Sequence, residues 1–131
     1  MQILQPPGWA KPRGYSNGVA LRGGTTVYVA GQVGWNKDGK FAEKSFGGQF
    51  RQALANIIAV VAEAGGRPEH IARMTWYVVN RNDYFGALGE ISAAYRELMG
   101  RHYPAMTVLE VRGLMEAEAR LEIEATAVVP D

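Results

Sequence analysis

The sequence predicts an α+β fold in which one mixed β-sheet carries two helices on the same face. Near the C-terminus, residues 121 to 128 alternate apolar and polar side chains, which is the period of a strand with one buried face. From Ser45 to Ala64 the apolar residues instead recur at helical spacing. The segments follow the order β-β-α-β-α-β-β, and two βαβ-like halves of this kind predict one sheet with both helices on one side.

Residues 1 to 17 predict an irregular N-terminal arm. They contain three prolines, two glycines and a tryptophan. Aromatic side chains bury a large area when they pack. We therefore expect the arm to dock on the domain through Trp9 and Tyr15 instead of forming a free tail.

Gly23-Gly24 predicts a tight β-hairpin turn. The segments 19 to 22 and 25 to 30 flank it with strand-forming residues, and the second runs on to residue 33. A Gly-Gly pair accepts the positive φ angles of a primed turn. Residues 36 to 40 predict a further surface turn, with Asp38-Gly39 at its tip.

Both helices have recognisable ends. Gly65-Gly66 supplies a left-handed C-cap for the first helix. Either Asn82 or Asp83 can cap the second helix, and Gly100 lies near its end. The apolar faces are formed by Phe50, Leu54, Ile57, Ile58 and Val61 in the first helix and by Ile91, Ala94, Tyr95 and Leu98 in the second.

Three further segments predict the remaining strands, at residues 74 to 79, 105 to 111 and 119 to 128. Residues 68 to 71 predict a short turn before the first of them. Apolar residues occupy both strand faces around 74 to 79 and 125 to 129. A chain of this size has nothing left to cover a second sheet face, so the pattern predicts packing between subunits.

The composition favours a single domain covering residues 1–131. The net charge of +1 and the pI of about 8.0 lack the basic footprint of a nucleic-acid binder. The absence of cysteine excludes a disulfide, a thiolate nucleophile and a cysteine-based zinc site. His70 and His102 have no partner at metal-ligand spacing, so we expect no metal. The N-terminus lacks the pattern of a signal peptide and the longest helix-like apolar run, 57 to 62, is too short to span a bilayer, which favours a cytoplasmic protein without a membrane partner.

Tyr103-Pro104-Ala105, Gly31-Gln32 and Glu122 together resemble motifs of the Rid family, the YjgF-like reactive intermediate deaminases. The resemblance covers nearly the whole chain. It implies a chorismate-mutase-like or ferredoxin-like domain, a homotrimer, and ligand clefts between subunits. It also implies hydrolysis of reactive imines and enamines without a cofactor.

The chain departs from the family pattern where that pattern is polar or reactive. Met106 replaces an Arg that binds the substrate carboxylate, Ala30 replaces a Ser, and Val108 stands where many members carry Cys. Met offers no donor and no charge. We therefore expect a pocket that prefers a less polar, aromatic compound over a small ketoacid precursor. A replacement cation could come from Arg13, Arg22 or Arg112.

The resemblance assigns Glu122 to the catalytic position, where it would position water. Tyr15 and the Gly31 backbone would bind the polar end of the substrate. A solvated strand carboxylate is the alternative for Glu122, and an arm anchor is the alternative for Tyr15. The remaining substrate-binding residues, Trp35, Ala105, Met106 and Val108, would line an apolar wall, with loop packing or core packing as the alternatives.

Three functions follow from this pattern. The first is a deaminase-like hydrolase acting on an imine, an enamine or a related electrophile. The second is a non-catalytic trimer that binds small molecules on the same scaffold, since fold does not fix function. The third, ribonuclease or translation inhibition, is disfavoured by the weak net charge and the absence of a basic stripe.

Overall fold

The computed structural model describes all 131 residues. No helix in it is long and apolar enough to cross a membrane. A 3₁₀ turn at Pro68–His70 precedes the fourth strand, as the sequence predicted. In chain order the elements are β1 Gln2–Leu4, β2 Gly18–Ala20, β3 Thr25–Gln32, α1 Phe46–Glu63, β4 Ile71–Val78, α2 Arg81–Gly86, α3 Leu88–Met99, β5 Ala105–Glu110 and β6 Leu121–Val129.

Four strands form a mixed sheet in the order β3-β6-β4-β5. The β4 and β5 strands run parallel, and the other two pairs are antiparallel. The long helices α1 and α3 pack on one face of this sheet and against each other. The α+β fold with a mixed sheet and two main helices on one face is therefore confirmed.

The central strand β6 shows why only one face is covered. Its apolar positions point into the helix-side core, where Leu121, Ile123 and Ala127 have no exposed surface. The alternating positions point the other way, so Glu122 and Glu124 stand on the uncovered face. Strict alternation in the sequence thus fixed the orientation of the strand.

The uncovered face, here called the open face, is more polar than the sequence pattern suggested. In β4, Met74, Trp76 and Val78 face the helices, so Thr75 and Tyr77 face outward. Apolar side chains do occur on both faces, because Tyr77 of β4 and Val128 of β6 face outward, but they alternate there with the polar Thr75 and Thr126. Tyr28, with 81% of its surface exposed, is the most exposed large side chain on this face.

The predicted hairpin at Gly23-Gly24 was also wrong. Both glycines have positive φ angles, of 67° and 74°, as a turn requires. However, β2 pairs with β1 in a separate two-stranded sheet, and β3 pairs with β6. The turn carries the chain from one sheet to the other. Gly24 is needed there for space, since a Cβ would lie 2.5 Å from the Val129 carbonyl oxygen.

The N-terminal arm is docked, but through a different residue from those predicted. Trp9 is 63% exposed and Tyr15 is 42% exposed, so neither anchors it. Ser16 is buried instead: its backbone N–H donates to the Pro104 carbonyl and its hydroxyl donates to the Tyr103 carbonyl. This short parallel bridge holds the arm against the edge strand β5.

The helix ends agree with the sequence prediction for α1 and differ for the second helical segment. Ser45 caps α1 by accepting from the Gly48 N–H, and Gly65 follows the helix with φ 77°. The second segment is two helices, and the cap is Asn80 at the start of α2, not Asn82 or Asp83. The α3 helix begins without a side-chain cap and ends at Gly100.

Gln49 is a buried polar group that joins three parts of the chain. Its side-chain nitrogen donates to the carbonyls of Glu43 and Glu118, and its oxygen accepts from the Arg120 N–H. Only 1% of Gln49 is exposed. The side chain therefore satisfies backbone groups that water cannot reach, and fixes the loop that leads into β6.

We expect Gln49→Leu to lower the free energy of unfolding by about 2–4 kcal/mol, because it leaves three backbone groups without partners while keeping a similar volume. Urea unfolding measures the loss. Gln52→Leu is the matched control on the same helix, since Gln52 bonds only the Asn56 side chain. A Gln49→Leu protein as stable as the parent would contradict this role.

Candidate functional site

Glu122 and Gly31 lie together on the open face. Glu122 is half-buried on β6, and Gly31 lies on the neighbouring strand β3. A Cβ added to Gly31 would lie 2.7 Å from a Glu122 carboxylate oxygen and 2.8 Å from its carboxyl carbon. The carboxylate therefore rests in space that only glycine leaves free. The structure brings these two predicted residues into direct contact.

Tyr77 is the cross-strand partner of Glu122 in the sheet. Partial burial raises the pKa of its hydroxyl, and the negative charges of Glu124 and Glu122 raise it further, whereas Arg73 lowers it. The hydroxyl is therefore neutral at physiological pH and remains a hydrogen-bond donor beside two carboxylates. The Tyr77 hydroxyl is hydrogen-bonded to Glu124. The Glu122 carboxylate, beside a backbone free of side-chain bulk, is the group at this point that can accept a proton from water.

Met106 and Val108 lie on the opposite face of the same sheet. Met106 is registered with Met74 and packs against the helix-side core. Val108 is registered with Trp76 and is 39% exposed, because β5 is an edge strand. The sheet thus separates both residues from Glu122. Within one chain they cannot form one pocket with the carboxylate.

Tyr15, Ala105 and Met106 share a shallow hollow of about 260 Å³ beside β5. Arg73 also lines it and forms none of the four ion pairs of the structure. Arg73 and Tyr77 are four strand residues apart, or about 13 Å at about 3.3 Å per residue. The hollow and Glu122 therefore lie beside different parts of β4.

Arg73 is a residue that the sequence analysis missed. The three arginines proposed there, Arg13, Arg22 and Arg112, do not line the hollow around Tyr15. The sequence did contain a signal for Arg73. Met74, Trp76 and Val78 alternate along β4 and share one face, so Arg73 belongs to the opposite face. The continuous run of bulky residues after Arg73 hid this alternation.

Trp35 lines none of the hollows described here. Its ring packs on Phe41 at a centroid distance of 6.5 Å. Its carbonyl accepts a 2.8 Å hydrogen bond from the Asn56 side chain of α1. In one chain Trp35 is therefore held by loop and helix contacts.

A second hollow, of about 270 Å³, opens on the helix side beside β5 and is here called the aromatic hollow. Sequence analysis did not foresee it, because its residues come from the arm, β4, the two later helices and the segment before β5. Arg13 does lie here, with Arg96. The lining is Arg13, Gly14, Trp76, Tyr84, Leu88, Ile91, Ser92, Tyr95, Arg96 and Tyr103.

The aromatic rings of this hollow are held by one another. Tyr95 and Tyr103 stack in parallel at 5.5 Å, and Trp76 meets Tyr84 edge to face at 6.5 Å. Burial raises the pKa of the Tyr95 hydroxyl above its usual range, and Tyr103 adds to the shift. That hydroxyl donates 2.6 Å to the His102 carbonyl, so it is already used within the protein.

Each histidine uses a ring nitrogen in a hydrogen bond to the backbone, and neither belongs to a cluster of metal-binding side chains. The Nδ1 atom of His70 accepts from the Arg67 N–H, and Nε2 of His102 lies 2.7 Å from the Ile71 carbonyl oxygen. No group of three or more histidine and carboxylate side chains lies in an arrangement that could hold a metal ion.

Known proteins similar to this chain include solved structures that cover almost its whole length. A Rid-family protein of unknown function from Yersinia pestis superposes with a TM-score of 0.86 at 31% identity, covering 98% of each chain. The structure of Escherichia coli TdcF with bound serine superposes with a TM-score of 0.68 at 30% identity, and it also covers 98% of each chain.

The sequence comparisons agree. A 2-iminobutanoate/2-iminopropanoate deaminase of Salmonella typhimurium is 34% identical over 118 residues, which is 87% of this chain and 86% of the relative. The profile of the family described as Endoribonuclease L-PSP matches residues 9–129. The chain therefore belongs to this family, the YjgF-like or Rid family that its motifs resemble.

Proposed function

We propose that the protein is a hydrolase for an imine, an enamine or a related electrophile, with its site in a cleft between subunits. The observation that carries this proposal is the placement of the site residues on two faces of one sheet. Glu122 and Gly31 stand on the open face, and Met106 and Val108 stand on the helix face of the edge strand. They can meet only if two copies bring these surfaces together.

The architecture supports such an assembly. The open face is uncovered in one chain and carries Tyr28 almost fully exposed. The β5 edge offers a second uncovered surface beside Tyr15 and Ala105. A heterologous contact between the two surfaces closes into a ring, and a homotrimer gives three equal clefts. Each cleft would take Glu122, Gly31 and Trp35 from one copy and the β5 residues from the next.

The chemistry needs few groups. Water adds to the carbon of the C=N bond, and Glu122 accepts a proton from the water and passes it to the nitrogen, which gives a carbinolamine. The C–N bond then breaks as Glu122 transfers the hydroxyl proton of the carbinolamine to the nitrogen, so that ammonia leaves and a carbonyl compound remains. The Gly31 N–H stabilises developing negative charge, and Tyr15 binds the polar end of the substrate. Relatives named 2-iminobutanoate/2-iminopropanoate deaminase, at about one-third identity, support this class of reaction. No metal or cofactor takes part in this proposal.

A non-catalytic binder of small molecules is the second candidate. It is favoured by one observation, that Met106 packs against the core and brings no donor to the site. Ribonuclease activity has less support, because the net charge is +1 and the arginines are dispersed. The proposed partners are another copy of the chain and a small molecule, in the cytoplasm, with neither nucleic acid nor membrane.

Glu122→Gln separates the enzyme from the binder. We expect turnover of an imine generated in situ by an amino-acid oxidase to fall about 10²–10⁴-fold, because the amide cannot accept the proton of water. Ligand affinity should change little. Glu124→Gln, on the same face and strand, is the matched control and should retain activity. Equal rates for Glu122→Gln and the parent protein would contradict the catalytic role.

Gly31→Ala tests how the carboxylate is positioned. The new methyl group would occupy the space of the Glu122 carboxyl, and a flexible side chain can move away at little cost. We expect the free energy of unfolding to change by less than about 1 kcal/mol while turnover falls at least about tenfold. Gly113→Ala is the control, since nothing lies within 4 Å of its added Cβ. Full activity in Gly31→Ala would show that the carboxylate position is unimportant.

The number of chains in the assembly can be measured directly from its mass in solution. Light scattering coupled to gel filtration should give a particle three times the 14.3 kDa mass of one chain. The physical reason is the pair of uncovered surfaces that one chain cannot satisfy. A monomer that still turns over imines would remove the case for a site shared between copies.

A further inference from the structure

We infer that the aromatic hollow binds the side group and carboxylate of an aromatic acid, with Arg13 and Arg96 supplying the positive charge that position 106 lacks. This inference rests on the proposed function, because it names the substrate class of the same site. The substrate would be an imine or enamine that carries both a carboxylate and a ring.

The hollow lies on the sheet face that position 106 faces. Met106 packs toward the helices, and Val108 is registered with Trp76, which lines the hollow. A longer cationic side chain at 106 would project on this side of β5. The aromatic hollow therefore lies on the same sheet face as position 106, although Met106 itself lines the neighbouring hollow beside Tyr15.

The size and the lining suit a ring. An engineered cavity of about 150 Å³ holds benzene, and this hollow measures about 270 Å³. It therefore has room for one ring and a short acidic chain. Trp76 and Tyr84 already meet edge to face, which is how aromatic groups prefer to pack. A further ring entering between them and the Tyr95–Tyr103 stack finds the same geometry.

The charge at the hollow is positive and unpaired. Arg13 reaches it from the arm and Arg96 from α3, and neither forms an ion pair. The neighbouring acid of α3, Glu97, is bound to Arg51 at 2.6 Å. Two guanidinium groups without protein carboxylates favour an anionic ligand, because arginine binds a carboxylate through parallel hydrogen bonds.

Trp76 adds an independent observation. Its indole nitrogen is the one buried side-chain nitrogen or oxygen atom in the structure that has no hydrogen-bond partner, and only 5% of the residue is exposed. An unpaired buried donor is uncommon and calls for an acceptor. An oxygen of a ligand in the hollow that Trp76 lines would supply one, which a hydrocarbon ligand cannot do.

Titration of the intact protein with phenylacetate tests the inference without any need for turnover. We expect phenylacetate to bind at least tenfold more tightly than either acetate or 2-phenylethanol, since only phenylacetate carries both groups. Binding should change the tryptophan fluorescence of the parent protein and of Trp9→Phe. The change should be lost in Trp76→Phe, which keeps an aromatic ring in the hollow but removes the indole, and with it both the fluorophore and the N–H donor.

The arginine variants complete the test. Arg96→Gln and Arg13→Gln should each weaken phenylacetate binding at least fivefold and leave the binding of 2-phenylethanol unchanged. Arg101→Gln, an exposed arginine just after α3, is the matched control. Equal affinity for the three probes, no binding of phenylacetate, or unchanged affinity in both variants would overturn the inference. Phenylacetate binding without Glu122-dependent turnover would instead overturn the proposed function, and the hollow would then be a binding site for an aromatic acid that is not a substrate.

Discussion

The structure depends on one constraint: the helices cover a single face of the four-stranded sheet. The β6 strand lies between β3 and β4, so its side chains point alternately into the helix-side core and onto the open face. Leu121 and Ile123 belong to the core, and Glu122 between them must therefore point away from it. A carboxylate placed by alternation is confined to one face of the sheet, because moving it to the other face would expel its apolar neighbours. The same rule places Met106 on the helix side, so that one chain cannot bring Met106 beside Glu122.

The replacement at position 106 is consistent with its surroundings. Met106 packs against a core that includes Met74, its partner across the strands. A methionine there gains apolar burial and loses the fixed charge that the family pattern carries. Gly31 keeps the residue of the family pattern. Its role is steric, because the Glu122 carboxyl occupies the place that a Cβ would take. In the proposed site, the chain thus keeps the Gly31–Glu122 arrangement around the water and changes, at Met106, a residue beside the substrate.

Much of the fold could be predicted because local signals and tertiary packing agree. Ser45, Gly65 and the apolar face of α1 identify that helix, and the alternation of residues 121 to 128 identifies β6 with its faces. Pairing could not be predicted in the same way, since Gly23-Gly24 specifies a turn but not the partner of either strand. The aromatic hollow was missed for a related reason. Its rings come from distant segments, each of which looks like ordinary core on its own.

Moving the positive charge from a strand to the arm and to α3 changes what the proposed site can hold. A cation at position 106 would be fixed in the sheet, close to the reacting carbon, and would suit a short acid. Arg13 and Arg96 instead stand around a hollow lined by rings, so the carboxylate and the reacting carbon can be separated by a larger group. Ser16 makes this arrangement stable, because its bonds to the carbonyls before β5 hold the arm that carries Arg13. In the inferred site, an otherwise irregular segment would take part in substrate recognition, and its attachment to the edge strand would fix the position of Arg13.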